Sequence, residues 1–111
     1  MIILDLDEIN RALARFTGGG ARFWFFSVSL TRLLIRITHQ ERDTELGLFA
    51  GNCSTMSGPF SWTVSALSVV AVDGRTRIED GGAAFVLDCA TCALVERDQI
   101  PSLSSLDELQ E

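Results

Sequence analysis

The chain has 111 residues, of which 47% are hydrophobic and 22% charged, and this predicts one folded domain over residues 1–111. The net charge of −6 argues against general nucleic-acid binding, because that binding depends on neutralising phosphates. No apolar run approaches the roughly 20 residues that a membrane-spanning helix needs, so we expect no membrane contact. The first residues have no basic region and no long apolar stretch, so we expect no secretory signal.

The first predicted element is a helix over about residues 7–17. Apolar residues recur there every three or four positions, which is the spacing of one helix face. Asp5 or Asp7 is placed to cap its first turn. Three consecutive glycines at 18–20 predict its end, because glycine readily adopts the left-handed conformation that ends helices.

Alternating apolar and polar residues then predict a series of strands, because successive side chains of a strand point to opposite faces. The strands are expected at 22–29, 33–39, 45–50, 60–72, 75–79 and 83–89, with 94–98 as an extension or a further strand. The pair Asp73-Gly74 predicts a tight hairpin. Both faces of the first strand are apolar, which predicts a central strand that is covered on both sides.

Two segments are less regular. Residues 51–59 are rich in Gly, Ser, Thr, Asn and Pro, so they are predicted as a loop and as a candidate functional site. A capping-box sequence at 105–108 predicts a short C-terminal helix, with a frayed tail over 102–111 as the alternative. The predicted fold is α+β: an N-terminal helix packed on a strongly bent, mainly antiparallel sheet of about six strands, forming a partial barrel.

The three cysteines are too few for a disulfide framework, and reduced thiols in a cytoplasmic protein fit best. The main expectation is that they behave as small buried apolar residues. A weaker alternative is a zinc site in which Cys89 and Cys92 are joined by Cys53 and His39. A redox role for the Cys89–Cys92 pair is disfavoured, because few residues follow it to build the fold that such chemistry uses.

Charge and aromatic residues are unevenly distributed. Residues 9–40 hold five arginines and no acid, so this stretch carries +5 and the remainder −11. These arginines are expected either to pair with acids on solvated faces or to form a recognition patch. The aromatic residues, with Trp24 and Trp62 among them, are expected either to pack in the core or to line a pocket or interface.

The resulting hypothesis is a small non-enzymatic binding protein that acts through its sheet and the loop over 51–62. Its partner is expected to be another protein or a second copy in a homodimer, with no nucleic acid, membrane or cofactor involved. The candidate binding residues are Trp24, Arg36, Asn52, Cys53, Met56 and Trp62, and no catalytic residue is assigned. One alternative is a small-molecule-binding or catalytic barrel with an aromatic-lined cavity and Cys53 or His39 at its mouth. The other alternative is a zinc-stabilised domain.

Overall fold

The computed structural model describes residues 2–26 and 32–98, which contain one α-helix, one short 3₁₀ turn at Gly81–Ala83 and ten strands. In chain order the elements are β1 Ile2–Ile3, α1 Leu6–Ala14, β2 Gly20–Phe26, β3 Arg32–Thr38, β4 Thr44–Gly51, β5 Thr55–Ser57, β6 Ser61–Thr63, β7 Ser68–Val72, β8 Arg75–Asp80, β9 Phe85–Cys89 and β10 Thr91–Asp98. The predicted α+β class with mainly antiparallel pairing is confirmed. The single sheet of about six strands is wrong, because the described strands form two sheets that do not close into a barrel. The predicted C-terminal helix or tail and positions 27–29 lie outside the described residues.

The strands form a six-stranded sheet, in the order β1-β10-β4-β3-β2-β6, and a four-stranded sheet, in the order β5-β9-β8-β7. The chain passes between the sheets four times: at residues 52–54 between β4 and β5, at 58–60 between β5 and β6, at 64–67 between β6 and β7, and at Ala90 between β9 and β10. The first and last crossings lie side by side: the Ala90 amide donates to the Gly51 carbonyl at 2.9 Å, and the Ser54 amide donates to the Asp88 carbonyl at 2.9 Å. We call residues 51–54 with Ala90 the seam.

Part of the loop predicted over 51–59 belongs instead to the seam and to β5. Residues 51–59 include the end of β4 and all of β5, so four of the nine residues pair with other strands. The predicted long strand over 60–72 is also wrong, because it is interrupted at residues 64–67. There the buried carboxylate of Asp80 accepts hydrogen bonds from the amides of Ser65 and Ala66 at 3.0 and 3.1 Å. These amides are therefore not available to continue a strand ladder.

Helix α1 begins where predicted and ends earlier. Asp5 caps it, since its carboxylate accepts a hydrogen bond from the Glu8 amide at 3.2 Å. The last turn tightens into i→i+3 bonds, with the Thr17 amide donating to the Ala14 carbonyl at 3.4 Å. The helix packs on β7. Among the described residues, no helix is long and apolar enough to cross a membrane.

The core lies between the two sheets and the helix. Alternate residues of β3, β4 and β10 point into it, so these strands bury every second side chain. Ile9 and Leu13 of α1 fill the same core and are fully buried. The intervening side chains of these three strands, together with Ile2 of β1 and Arg22 and Trp24 of β2, point away from the core and form the surface described next.

A basic and apolar face on the six-stranded sheet

The side of the six-stranded sheet that points away from the core is the candidate site, and we call it the outer face. Register places Arg22 opposite Arg36, Arg36 opposite Gly47, and Gly47 opposite Val95, so these positions form one row across the sheet. The outer face is formed by Ile2, Arg22, Trp24, Arg32, Leu34, Arg36, Glu45, Phe49, Ala93, Val95 and Arg97. Four of these residues are arginines and one is an acid, so the face carries +3 in a chain whose net charge is −6.

An ion-pair cluster holds one end of the outer face. The carboxylate of Glu45 is buried and accepts from Arg36 Nε at 2.7 Å and from Arg97 Nε at 2.8 Å. The two arginines differ in exposure, since the Arg36 side chain is 15% exposed and that of Arg97 is 52% exposed. A buried carboxylate needs such partners, because an unpaired charge away from water is costly. Glu45 therefore fixes both guanidinium groups on β3 and β10.

Trp24 lies between two arginines on the same face. The guanidinium carbons of Arg22 and Arg36 are each 5.0 Å from the centroid of the Trp24 ring. This distance is within the range of a cation–π contact, in which a planar guanidinium stacks on the face of an aromatic ring. The two strands thus present a preformed cluster of one indole and two guanidiniums.

A polar groove of about 440 Å³ lies beside this cluster. Its lining includes Arg22 and Arg36 together with the hydroxyl-bearing residues Thr38, Ser61 and Thr63. Arginine N–H groups and hydroxyls are the donors that recognise carboxylate oxygens. The groove is therefore suited to an anionic or acceptor-rich group.

The opposite part of the outer face is apolar. A groove of about 600 Å³ is lined by Leu4, Phe49 and Ala93, with Arg32 at its border. Leu4 is 69% exposed and Phe49 is 43% exposed. A sheet face that simply meets water is expected to be mainly polar, and the exposed apolar residues beside the arginines depart from that pattern.

The structure brings together some of the predicted binding residues. Trp24 and Arg36 are in contact on the outer face, and Asn52 lines the edge of the apolar groove. Met56 lies on β5, which belongs to the other sheet, and Cys53 is partly buried against the core. The predicted site is thus divided: Trp24, Arg36 and Asn52 lie on or beside the outer face, and Trp62 lines the groove beside Arg36, whereas Cys53 and Met56 lie elsewhere.

Trp62 belongs to a packed aromatic cluster. Its ring stacks on Phe85 with centroids 4.2 Å apart, and Phe23 meets both rings edge-on or tilted at 6.4 and 5.8 Å. Its indole N–H donates to the carboxylate of Asp80 at 3.1 Å. The aromatic residues that the barrel hypothesis places around a cavity therefore pack against one another at this position.

The cysteines lie at and beside the seam. Cys89 and Cys92 both point inward, because Ala90 interrupts the strand between them and changes which face the chain presents. Burial, with a smaller effect of neighbouring thiols, raises the pKa of Cys89 to about 11 and that of Cys92 to about 12. Burial also raises the pKa of Cys53, against a smaller opposing effect of Arg75. These groups are thiols at neutral pH, whereas a nucleophile or redox centre needs a thiolate.

His39 lies far from these cysteines. It follows the end of β3 at Thr38, whereas Cys53 lies beyond Gly51, which pairs with the opposite end of β3 at Arg32. Its Nδ1 atom accepts a hydrogen bond from the Glu41 amide at 3.0 Å. The structure therefore does not bring His39 and Cys53 together as the weaker zinc alternative requires, and within residues 2–26 and 32–98 no three His, Cys, Asp or Glu side chains are placed to hold a metal ion.

Sequence reasoning did not single out Arg22, Glu45 or Arg97 as site residues. The cluster of basic residues over 9–40 was a usable signal, but it mixed Arg11 of the helix with the arginines of β2 and β3. Glu45 could have been noticed as a charge at the start of an apolar strand. Its two partners lie 9 and 52 positions away along the chain, and only the strand register identifies them.

Comparison with known proteins finds no matching family model, no matching curated protein and no matching solved structure. The function is therefore inferred from the chemistry of the outer face.

Proposed function

We propose that the chain is a small non-enzymatic binding protein that recognises another protein through the outer face. The observation that supports this most strongly is the Trp24 cluster, in which two arginines contact one tryptophan beside an exposed apolar groove. Trp and Arg are enriched among the residues that dominate protein interfaces. The preformed contacts also reduce the entropy that these side chains would lose on binding.

A different protein is favoured over a second copy as the partner. Two copies that met through the same face about a two-fold axis would bring two +3 surfaces together, and like charges oppose such an encounter. The remainder of the chain carries −9, so the outer face, at +3, favours the approach of an acidic partner. The three free cysteines fit a reducing compartment, and we place the protein in the cytoplasm.

Site-specific photo-crosslinking tests this proposal. A photoreactive phenylalanine analogue replaces either Phe49 on the outer face or Met56 on β5, and each variant is irradiated in the cells that make the protein. The two positions are matched, because each side chain is 43% exposed. We expect defined adducts from position 49 that are lost when Arg22→Glu is added, and none from position 56.

Two outcomes would contradict this expectation. Adducts from position 56 alone would assign the binding to the segment over 51–62 that contains β5. The absence of adducts from both positions, in a protein that is folded by circular dichroism, would sink the proposal of a binding protein.

A further inference from the structure

We infer that the outer face binds an acidic polypeptide segment that also carries apolar side chains. This inference rests on the proposed function and specifies its partner. The face has two parts of different chemistry: guanidiniums on β2 and β3, and exposed apolar groups around Phe49 on β4. A segment with only one kind of side chain would leave one of the two parts unmatched.

The basic part selects a carboxylate. Among the described residues Arg22 contacts the Trp24 ring and no acid, so its in-plane N–H groups are available to a ligand. Arg36 uses Nε for Glu45, which leaves its terminal nitrogens for a further acceptor. Two adjacent guanidiniums beside a polar groove can bind carboxylate side chains in the bidentate manner that arginine favours.

The apolar part lies within reach of the same segment. Leu34, Phe49 and Ala93 share one row of the sheet, and the next outward-facing row contains Arg36 and Val95. Outward-facing rows of a sheet are about 7 Å apart, since each residue advances a strand by about 3.3 Å. One extended or helical segment can therefore place an apolar side chain over Phe49 and a carboxylate over Arg36.

The charge of the molecule favours a polypeptide over a nucleic acid. A nucleic acid carries a phosphate at every nucleotide and extends well beyond one small face, so it would be repelled by the rest of the chain, whose net charge is −9. Screening reduces this repulsion only beyond about 8–10 Å at physiological salt. The mainly apolar groove also offers a site to leucine-like side chains, which a nucleic acid lacks.

Nuclear magnetic resonance of the full chain tests the inference, because the Trp24 indole lies on the outer face and the Val69 amide lies on β7 of the other sheet. The probe is a short synthetic peptide that alternates glutamate with leucine. We expect it to shift the Trp24 indole signal and to leave the signal of the Val69 amide, which is held by Asn10, nearly unchanged. Arg22→Gln should weaken binding about tenfold, since it removes a charge-assisted hydrogen bond to the peptide carboxylate. Arg11→Gln is the matched control, because it removes the same charge from an exposed helix position.

Three comparison probes make the test decisive. A peptide with glutamine for glutamate and one with serine for leucine should both bind more weakly, and equal binding of either would overturn the corresponding half of the inference. Tighter binding of an oligothymidylate would overturn the polypeptide assignment in favour of nucleic acid. If crosslinking at position 49 succeeds while no acidic peptide shifts Trp24, the proposed function stands and this inference falls.

Discussion

Asp80 shows how a buried charge can organise a fold. Its carboxylate is fully buried and accepts five hydrogen bonds, from Ser65 N and Oγ, Ala66 N, Trp62 Nε1 and Gly82 N. Burial alone would raise the pKa of Asp80, but the hydrogen bonds, led by those from Ser65, outweigh it and lower the pKa below its usual value. The donors thus stabilise the ionised form and hold the turn between β6 and β7.

Stability should therefore depend on the ionisation of Asp80. Because its folded-state pKa is lowered, the stabilisation is present above the unfolded-state pKa of about 3.9 and is lost as pH falls through the folded-state value. Asp80→Asn should lower the free energy of unfolding by about 3 kcal/mol at neutral pH, since it leaves buried donors without a charged acceptor. Urea denaturation from neutral to acidic pH measures both effects, and the difference between variant and wild type should shrink in acid.

Asp73→Asn is the control for this prediction, since it makes the same chemical change at an exposed turn residue that an asparagine also suits. If Asp80→Asn were no more destabilising than Asp73→Asn at neutral pH, Asp80 would not have the structural role assigned to it.

At the scale of elements, a single side chain joins the helix to a sheet edge. Asn10 of α1 donates from Nδ2 to the Val69 carbonyl at 2.9 Å and accepts from the Val69 amide at 2.7 Å. The side-chain amide of Asn10 thus makes the two hydrogen bonds that a neighbouring strand would make with β7. This strand is at the edge of the four-stranded sheet. An edge strand with unpaired backbone groups invites pairing with other chains, and this contact protects it.

Asn10→Ala should destabilise the protein by about 2 kcal/mol, because it removes two hydrogen bonds of about 1 kcal/mol each. Hydrogen exchange should be faster at the Val69 amide in particular, while the amides of β3 and β4 should change only as the overall stability changes. Arg11→Ala, on the exposed side of the same helix, is the control and should leave the Val69 amide protected. Unchanged protection of Val69 in Asn10→Ala would contradict the role of this contact.

At the scale of the whole molecule, local sequence signals predicted the parts and missed how they are arranged. Asp5 capping the helix and the Asp73-Gly74 hairpin are both confirmed, because each depends on residues close in sequence. The number of sheets was wrong because the strand over 60–72 is broken by Asp80, which lies 15 and 14 positions away from the Ser65 and Ala66 amides that it binds there. Such long-range contacts leave no periodic signal in the sequence.

The candidate site was only partly predictable, because its contacts also depend on how the strands pair. Trp24 and Arg36 could be singled out as residue types that favour interfaces, but their contact depends on the register of β2 against β3 and on the irregularity between Phe23 and Phe25. The inward placement of both Cys89 and Cys92 depends on the seam. A continuous strand would have pointed these two residues to opposite faces.

The seam also predicts that the two sheets unfold as one unit. β9 continues into β10 with only Ala90 between them, and the hydrogen bond from Ala90 to Gly51 crosses from one connection to the other. Separating the sheets would break this bond and expose Cys89 of the four-stranded sheet together with Cys92 of the six-stranded sheet. Both thiols have pKa values raised to about 11 and about 12 by burial, so they should resist alkylation at pH near 8 until the protein opens.

Thiol labelling at increasing urea concentration, read out by peptide mass spectrometry, measures the free energy of opening at each cysteine. We expect Cys89 and Cys92 to give the same value, equal to the global free energy of unfolding, and Cys53 to react first because it is partly exposed. A lower value at Cys92 than at Cys89 would mean that the six-stranded sheet opens by itself. In that case the outer face would belong to a separately folding unit, and partner binding would stabilise only that sheet.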